Sequence, residues 1–466
     1  MKVAKGRSTL ANAFDFSKEP DYLTPDEADL LRRRKNVLGT LGPLFYDHPI
    51  HVVRGSEAHL FDAAGTDYLD CYNNVACVGH ANEHVREAVA DQLAKQDTHS
   101  RYLQDEIIDY AERLLGYFTP DYGSVTDPYL GGFDRVSFTN SGSESNDLAL
   151  RMARVYTGAQ GVVVTDNAYH GVTSLVSSVS PNFGTGVPLA PFLATVRVSD
   201  VLSQLSTGAM GGEEVTQILL QRFEEAFEKL HNGGFGVSAV LLDQIFSSDG
   251  VLPGNAGWVA AVAEATHNAG GLLIADEVQS GFARTGEAFW GFQRHHADAD
   301  IVSMGKPMGN GIPVGAVVYK SPIGDALASC TRYFNTFGGN PVSMRAAGAV
   351  LDEIENRDLL QHAKTMGDRI CADMEALLGD TPRFLMTRHA GLFIGIDIGA
   401  ADGSGAPDAL GARKIISALR DRNILISASG ASGSSLKLRP PLVFSDADEA
   451  RLMQAVADMK KEGLFG

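Results

Sequence analysis

The stretch Gly271-Leu272-Leu273-Ile274-Ala275-Asp276-Glu277-Val278-Gln279 opens with an apolar run long enough for one buried parallel strand and delivers its acids where that strand should end. Open α/β sheets bind ligands at that edge, outside the carboxyl ends of their strands. Further on, Ile301-Val302-Ser303-Met304-Gly305-Lys306-Pro307 is a second short apolar strand, ending in a lysine wedged between glycine and proline. Proline cannot continue a ladder, so the lysine is expected on a turn. A strand-end aspartate followed by a strand-end lysine is what pyridoxal 5'-phosphate (PLP) requires. The lysine bonds to the cofactor's aldehyde, and the carboxylate keeps the pyridine nitrogen protonated, which makes the ring an electron sink. Taken bare, the pair leaves other readings open: such an aspartate also serves as an N-cap or a magnesium ligand, and a lysine after a strand is usually solvated.

The flanking residues narrow the choice. Asp276-Glu277-Val278-Gln279-Ser280-Gly281-Phe282-Ala283-Arg284-Thr285-Gly286, followed by Gly305-Lys306-Pro307-Met308-Gly309-Asn310-Gly311, closely resembles the signature of the class III aminotransferases, PLP enzymes of fold type I. The resemblance runs from about Pro43 to Glu462. It implies an α/β fold with a mostly parallel sheet in a large domain and a small α+β domain built from both termini. Residues 1–70 would form an N-terminal arm and part of the small domain, 71–335 the large PLP-binding domain, and 336–466 the C-terminal small domain. It further implies Lys306 and Asp276 as the catalytic pair, Gln279 on the ring's phenolic oxygen, and Val278 beneath the ring.

The bulk of the chain agrees with a large enzyme. Its 466 residues, 44% hydrophobic and 21% charged, can bury a large core divided over two domains. A formal charge of -18 argues against a nucleic-acid partner, because phosphate backbones need basic patches and the Lys/Arg clusters are short. The run Arg32-Arg33-Arg34-Lys35 reads as a solvated helix end. Cys71, Cys77, Cys330 and Cys371 are too scattered for a disulfide framework and have no zinc spacing, so reduced thiols in the cytoplasm are expected, with no metal. Met1 to Phe14 lacks an apolar leader, and nowhere do about eighteen apolar residues run together, so neither secretion nor a membrane span is expected.

Along the chain, Thr24-Pro25-Asp26-Glu27 carries helix-start chemistry, and Ile50–Gly55, His59–Asp62 and Gly65–Asp70 alternate like strands. Asn140-Ser141-Gly142-Ser143-Glu144 follows the strand-like Arg135–Thr139 and enters a helix. Its free N–H groups, at the positive end of the helix dipole, favour a phosphate dianion, although a plain N-cap has the same look. The turn lacks both the lysine of a P-loop and GxGxxG spacing. In the resembling family it cradles the PLP phosphate, which implicates Ser141, Gly142 and Ser143. The same resemblance stacks Tyr169 on the pyridine face and leaves His80 on a structural turn, so Asn74 is the better candidate for a substrate contact. The stretch Pro181 to Leu205 has no clear period and suggests a long active-site loop, while Gly399–Gly411 and Ser427–Ser435 look like mobile loops. Thr336, in Thr336-Phe337-Gly338-Gly339-Asn340-Pro341, matches a threonine that reaches the PLP phosphate of the neighbouring subunit. It implies a homodimer with shared active sites, or a tetramer built from it.

Two departures bear on the reaction. Class III enzymes that handle glutamate carry an arginine three residues before a Pro-Pro pair, gated by an upstream glutamate. Here Leu436-Lys437-Leu438-Arg439-Pro440-Pro441 puts Lys437 at the first place, and Ser248 stands at the second. Lysine is a point charge without the planar fork that grips a carboxylate. Ser100-Arg101-Tyr102-Leu103, Gly305–Gly311 and Arg332–Ser343 resemble the branch of ethanolamine-phosphate phospholyases and aminophosphonate ammonia-lyases. Arg101, Lys437 and Arg439 are therefore expected to bind a phosphoryl or phosphonyl group. The implied reaction on a small primary amine is β-elimination with release of ammonia, and the alternative is amino transfer to a keto acid by an ω-aminotransferase.

Overall fold

The computed structural model describes residues 12–17, 22–119, 130–254 and 257–466. Residues 1–11 and 18–21, where an N-terminal arm is expected, lie outside the described residues. The helix Pro25–Leu38 starts as its sequence dictates: Thr24 accepts from the Glu27 N–H, and the Glu27 carboxylate accepts from the Thr24 N–H at 2.9 Å. Strands β1 (Val52–Ser56), β2 (His59–Asp62) and β3 (Asp67–Asp70) form an antiparallel meander. His80 closes against it, its Nε2 2.7 Å from Asp70.

The central layer is a seven-stranded sheet of β4 (Phe133–Thr139), β5 (Gly161–Thr165), β6 (Leu193–Val196), β7 (Val237–Asp243), β8 (Leu272–Asp276), β9 (Ile301–Met304) and β10 (Gly315–Lys320), in the order β4-β10-β9-β8-β7-β5-β6. Strands β9, β8, β7, β5 and β6 run parallel, and β10 is antiparallel to both of its neighbours. All residues of β5, β8 and β9 are buried, which is why these stretches read as continuous rather than alternating apolar runs. Helices cover the faces, and Trp258, Trp290, Phe118 and Phe223 are fully buried among them. Burying each such side chain contributes about 1.5–3 kcal/mol.

One expectation is corrected here. Residues 181–205 are not a long loop: Leu193–Val196 is the edge strand of the large sheet, paired in parallel with Val162–Thr165, and the helix Ser199–Ser206 follows. The strand is only four residues long and sits between Pro191 and polar residues, so it leaves no period to read.

The C-terminal third adds β11 (Phe384–Ala390), β12 (Phe393–Ile398), β13 (Ile424–Leu425), β14 (Ser427–Ser429) and β15 (Ser435–Leu438). Strand β13 joins β3 in parallel, so one sheet draws on both termini, while β11-β12-β15-β14 form an antiparallel sheet. Residues 427–435 are thus a hairpin rather than a loop throughout: Ser427 lies opposite Lys437 and Ser429 opposite Ser435, and only residues 430–434 form its turn. Gly and Ser weaken the strand signal, and cross-strand pairing restores it.

Candidate active site

The carboxyl ends of the parallel strands converge on one cleft of about 340 Å³. Strand β4 ends at Thr139 and delivers Asn140-Ser141-Gly142-Ser143. Strand β5 leads to Tyr169 and His170, β7 ends in Asp243, β8 ends in Asp276, and β9 is followed by the 3-10 turn Lys306–Gly309. Ser141, Gly142, Ser143, Tyr169, Asp276, Val278, Gln279 and Lys306 all line it.

At the Ser141 turn, the Ser141 hydroxyl accepts from Glu144 N at 3.2 Å and opens the helix Gly142–Thr157. Such a cap stabilises by about 1 kcal/mol. It leaves the first N–H groups of the helix without partners inside it. At Gly142 and at Gly305 beside it, the turn packs too tightly for a side chain. A Cβ on Gly142 would lie 2.6 Å from Val278 Cγ2, and one on Gly305 would lie 2.7 Å from the Gly142 nitrogen. Backbone alone can occupy these two positions, and a phosphate needs such a close backbone approach.

Asp276 is buried and held from three sides. Val278 N donates to its Oδ1 at 3.0 Å, while Asn146 Nδ2, at 2.9 Å, and His170 Nδ1, at 2.7 Å, meet its Oδ2. Asn146 also accepts from Ser303 Oγ at 2.5 Å and donates to the His170 carbonyl at 2.8 Å, which ties the helix Gly142–Thr157 to β9 and to the Tyr169 segment. Sequence reading assigned nothing to His170 or Asn146. Neighbouring Glu277 is structural: it accepts from Ser280 Oγ and from the N–H groups of Gly291 and Phe292, and burial pushes its carboxyl up to about 7.

Lys306 is buried. Burial first, and the Arg439 charge second, pull its ammonium down to about 8 against the opposing pull of Asp276 and Asp243. Lys437 is pushed well below the usual lysine range by burial, then by Arg439 and Lys306. Its ammonium lies 5.8 Å from the centre of the Phe393 ring. Arg439 donates to the Tyr72 carbonyl at 2.9 Å and to Gln279 Oε1. Lys437 and Arg439 therefore cluster with Lys306. Arg101 does not join them within this chain: it is exposed, with its guanidinium 3.6 Å from the centre of the Phe334 ring. Asn74 is buried one residue before Val75, which lines the cleft. Thr336 is exposed and outside the cleft, but Asn335 beside it donates to Glu144 at 2.8 Å and accepts from Asn140 Nδ2 at 2.8 Å, fixing its segment to the phosphate turn.

These residues fit PLP. The backbone cradle suits a phosphate, Asp276 can hold a protonated ring nitrogen, and the Lys306 amine is pulled down to about 8. Among the described residues, no cluster of three or more His, Cys, Asp or Glu could hold a metal, and no helix is long and apolar enough to cross a membrane.

Comparison with known proteins agrees with the geometry. The family model described as aminotransferase class-III matches residues 45–459. An "alanine--glyoxylate aminotransferase 2-like" protein of Drosophila melanogaster is 37% identical over 91% of this chain and 85% of its own length. An "ethanolamine-phosphate phospho-lyase homolog 1" of Caenorhabditis elegans is 34% identical over 94% and 96%. Among solved structures, a phospholyase from Arthrobacter in complex with phosphoethanolamine superposes with a TM-score of 0.84 at 40% identity, covering 92% of this chain and 99% of that one. A match that runs through every strand of the large sheet leaves one conclusion: the chain belongs to the aminotransferase class-III family and is a PLP-dependent enzyme.

Proposed function

We propose that the enzyme releases ammonia by β-elimination from a small primary amine that carries a phosphoryl or phosphonyl group. The observation that carries this reading is the pair of buried cations, Lys437 and Arg439, set behind the cleft that Lys306 and Gln279 line. Such a pair attracts a dianion into a protein that is negative overall. Phosphoethanolamine in the similar Arthrobacter protein supports the same substrate class.

When bound, PLP supplies the electron sink that accepts the pair left behind as a C–H bond beside the amine breaks. The chain's own residues do the rest. Ser141, Gly142 and Ser143 hold the phosphate, Tyr169 and Val278 enclose the ring faces, and Asp276, steadied by His170 and Asn146, keeps the proton on the ring nitrogen. Lys306 Nζ removes the proton from the carbon bearing the amine. The phosphate, or a hydroxyl in a hydroxylated aminoethylphosphonate, departs from the next carbon. The unsaturated amine that remains reacts with one water to give an aldehyde and ammonia. No electrons are gained or lost overall, so no keto-acid acceptor is required.

The purified holoenzyme, given O-phosphoethanolamine or 1-hydroxy-2-aminoethylphosphonate alone, should release ammonia, with inorganic phosphate in the first case. Amino transfer is the second reading, favoured by the Drosophila relative's name. It replaces the first if neither compound yields ammonia while an amine with pyruvate or 2-oxoglutarate gives steady amino-acid formation.

The reading extends to organisation. A homodimer with shared active sites is supported by the exposure of Thr336, Phe334 and Phe337 on the segment that Asn335 ties to the phosphate turn. Four cysteines without disulfides, three of them buried, suit the reducing cytoplasm. The division at residues 70/71 and 335/336 is supported by the confinement of the seven-stranded sheet to residues 133–320.

A further inference from the structure

Arg439 is nine-tenths buried, yet its guanidinium is committed before any substrate arrives. Its Nε donates to the Tyr72 carbonyl at 2.9 Å, its Cζ lies 4.4 Å from the centre of the Tyr72 ring, and its Nη1 donates to Gln279. A guanidinium has donors only, so the Gln279 atom that faces it must be the amide oxygen. The amide nitrogen then faces Ser247 Oγ at 2.5 Å. Ser247 can accept there because its own proton goes to Asp243 Oδ2 at 2.5 Å, and the Ser247 and Ile245 N–H groups hold the same carboxylate at 2.9 and 3.0 Å. Every donor in the chain Arg439, Gln279, Ser247, Asp243 points the same way, from cation to anion. Reversing the amide would set nitrogen against guanidinium and oxygen against a hydroxyl whose proton is already committed, so both contacts would be lost.

We infer that Arg439 is a positioning residue, which holds the Gln279 amide in the one orientation that leaves an N–H to donate into the cleft, rather than a ligand for the substrate. The inference rests on PLP occupying this cleft with its phenolic oxygen toward Gln279. It leaves Lys437, which has no hydrogen bond or ion pair among the described residues, as the uncommitted cation for a phosphoryl or phosphonyl group.

The test is the pH midpoint of the visible absorption of the holoenzyme, set by the proton shared between the phenolic oxygen and the bond to Lys306. The charged and titratable groups bordering this site are Lys306, Lys437, Arg439, Asp243, Asp276 and His170, with the phenol of Tyr169. A donor to the phenolic oxygen favours its anion, so losing that donor raises the midpoint. Gln279→Ala should raise it by about one pH unit, the size of one hydrogen bond to a charged oxygen. Arg439→Met should raise it comparably, and the double variant should go no further than either. Loss of charge alone would also raise the midpoint, but its shift would add to that of Gln279→Ala, and additive shifts overturn the inference. So does an unmoved midpoint in Arg439→Met together with weaker binding of inorganic phosphate, which would make Arg439 a substrate ligand. An unmoved midpoint in Gln279→Ala overturns the contact to the phenolic oxygen as well. If Arg439→Met does not fold, Arg439→Gln keeps size and polarity but can accept as well as donate, and the same outcomes apply to it.

Discussion

Nδ1 of His170 lies 2.7 Å from Oδ2 of Asp276, the oxygen that also accepts from Asn146. This pair aims the carboxylate that ends β8, although neither partner lies near it in the chain. His170→Phe keeps an aromatic volume and removes the contact. A hydrogen bond to a charged group is worth about 1.5–3 kcal/mol, so turnover should fall about ten- to a hundredfold while PLP still binds. Steady-state kinetics with a PLP titration measure both, and an undiminished rate would show that Asn146 alone suffices.

Lys306→Ala should abolish the visible absorption of the lysine-bound cofactor and lower turnover by at least about a hundredfold. Far-UV circular dichroism should be unchanged, since the turn keeps Pro307 and Gly309. Normal activity in this variant would remove Lys306 from the chemistry.

Asp276→Asn should still bind PLP but lose about a hundred- to a thousandfold in rate, because an amide holds no ring proton by charge. Absorption spectra confirm occupancy and initial rates supply the comparison. Wild-type rates would mean that the electron sink is arranged differently.

Attachment of PLP to apoenzyme needs the neutral amine of Lys306. Burial and Arg439 disfavour the ammonium, so the neutral form predominates above about pH 8 instead of above the usual lysine value. Reconstitution followed by absorbance should therefore accelerate up to about pH 8 and then level off. Arg439→Met removes a repelling cation and should move that midpoint upward. A rate still climbing beyond about pH 10, the ordinary lysine range, in the wild type would contradict the environment described for Lys306.

Gly142→Ala puts a methyl 2.6 Å from Val278 Cγ2. Overpacking of this kind costs about 1–3 kcal/mol, to be read as a lower melting temperature and a weaker PLP affinity. Val278→Ala in the same chain should restore much of both. A lack of rescue would place the strain elsewhere in the turn.

What the sequence made legible was the strand ends. Leu272–Asp276 and Ile301–Met304 are buried on both faces, so their composition is apolar throughout and the chemical residues stand out just beyond them. His170 and Asn146 were not legible, because a buried histidine and asparagine have the same local look whether they support a carboxylate or fill a core. Only the fold brings residues 146, 170 and 276 together. Arg101, Lys437 and Arg439 read as equivalent cations, yet burial distinguishes them: two sit behind the cleft and one lies on the surface over Phe334. The edge strand Leu193–Val196 and the hairpin of Ser427–Ser429 with Ser435–Leu438 escaped notice for the same reason, since short strands of small residues owe their existence to their pairing partners.

Among the described residues, strand β4, which presents the Ser141 turn, pairs only with β10, and Thr139 sits opposite Gly315. During synthesis at about 5–20 residues per second, β4 thus waits on the order of ten to thirty seconds for its neighbour. Through that interval it is an exposed edge with unsatisfied backbone groups, open to pairing with other chains. The cofactor cradle is consequently among the last parts of the large sheet to close, and a chain truncated before β10 would be more prone to aggregate than to bind PLP.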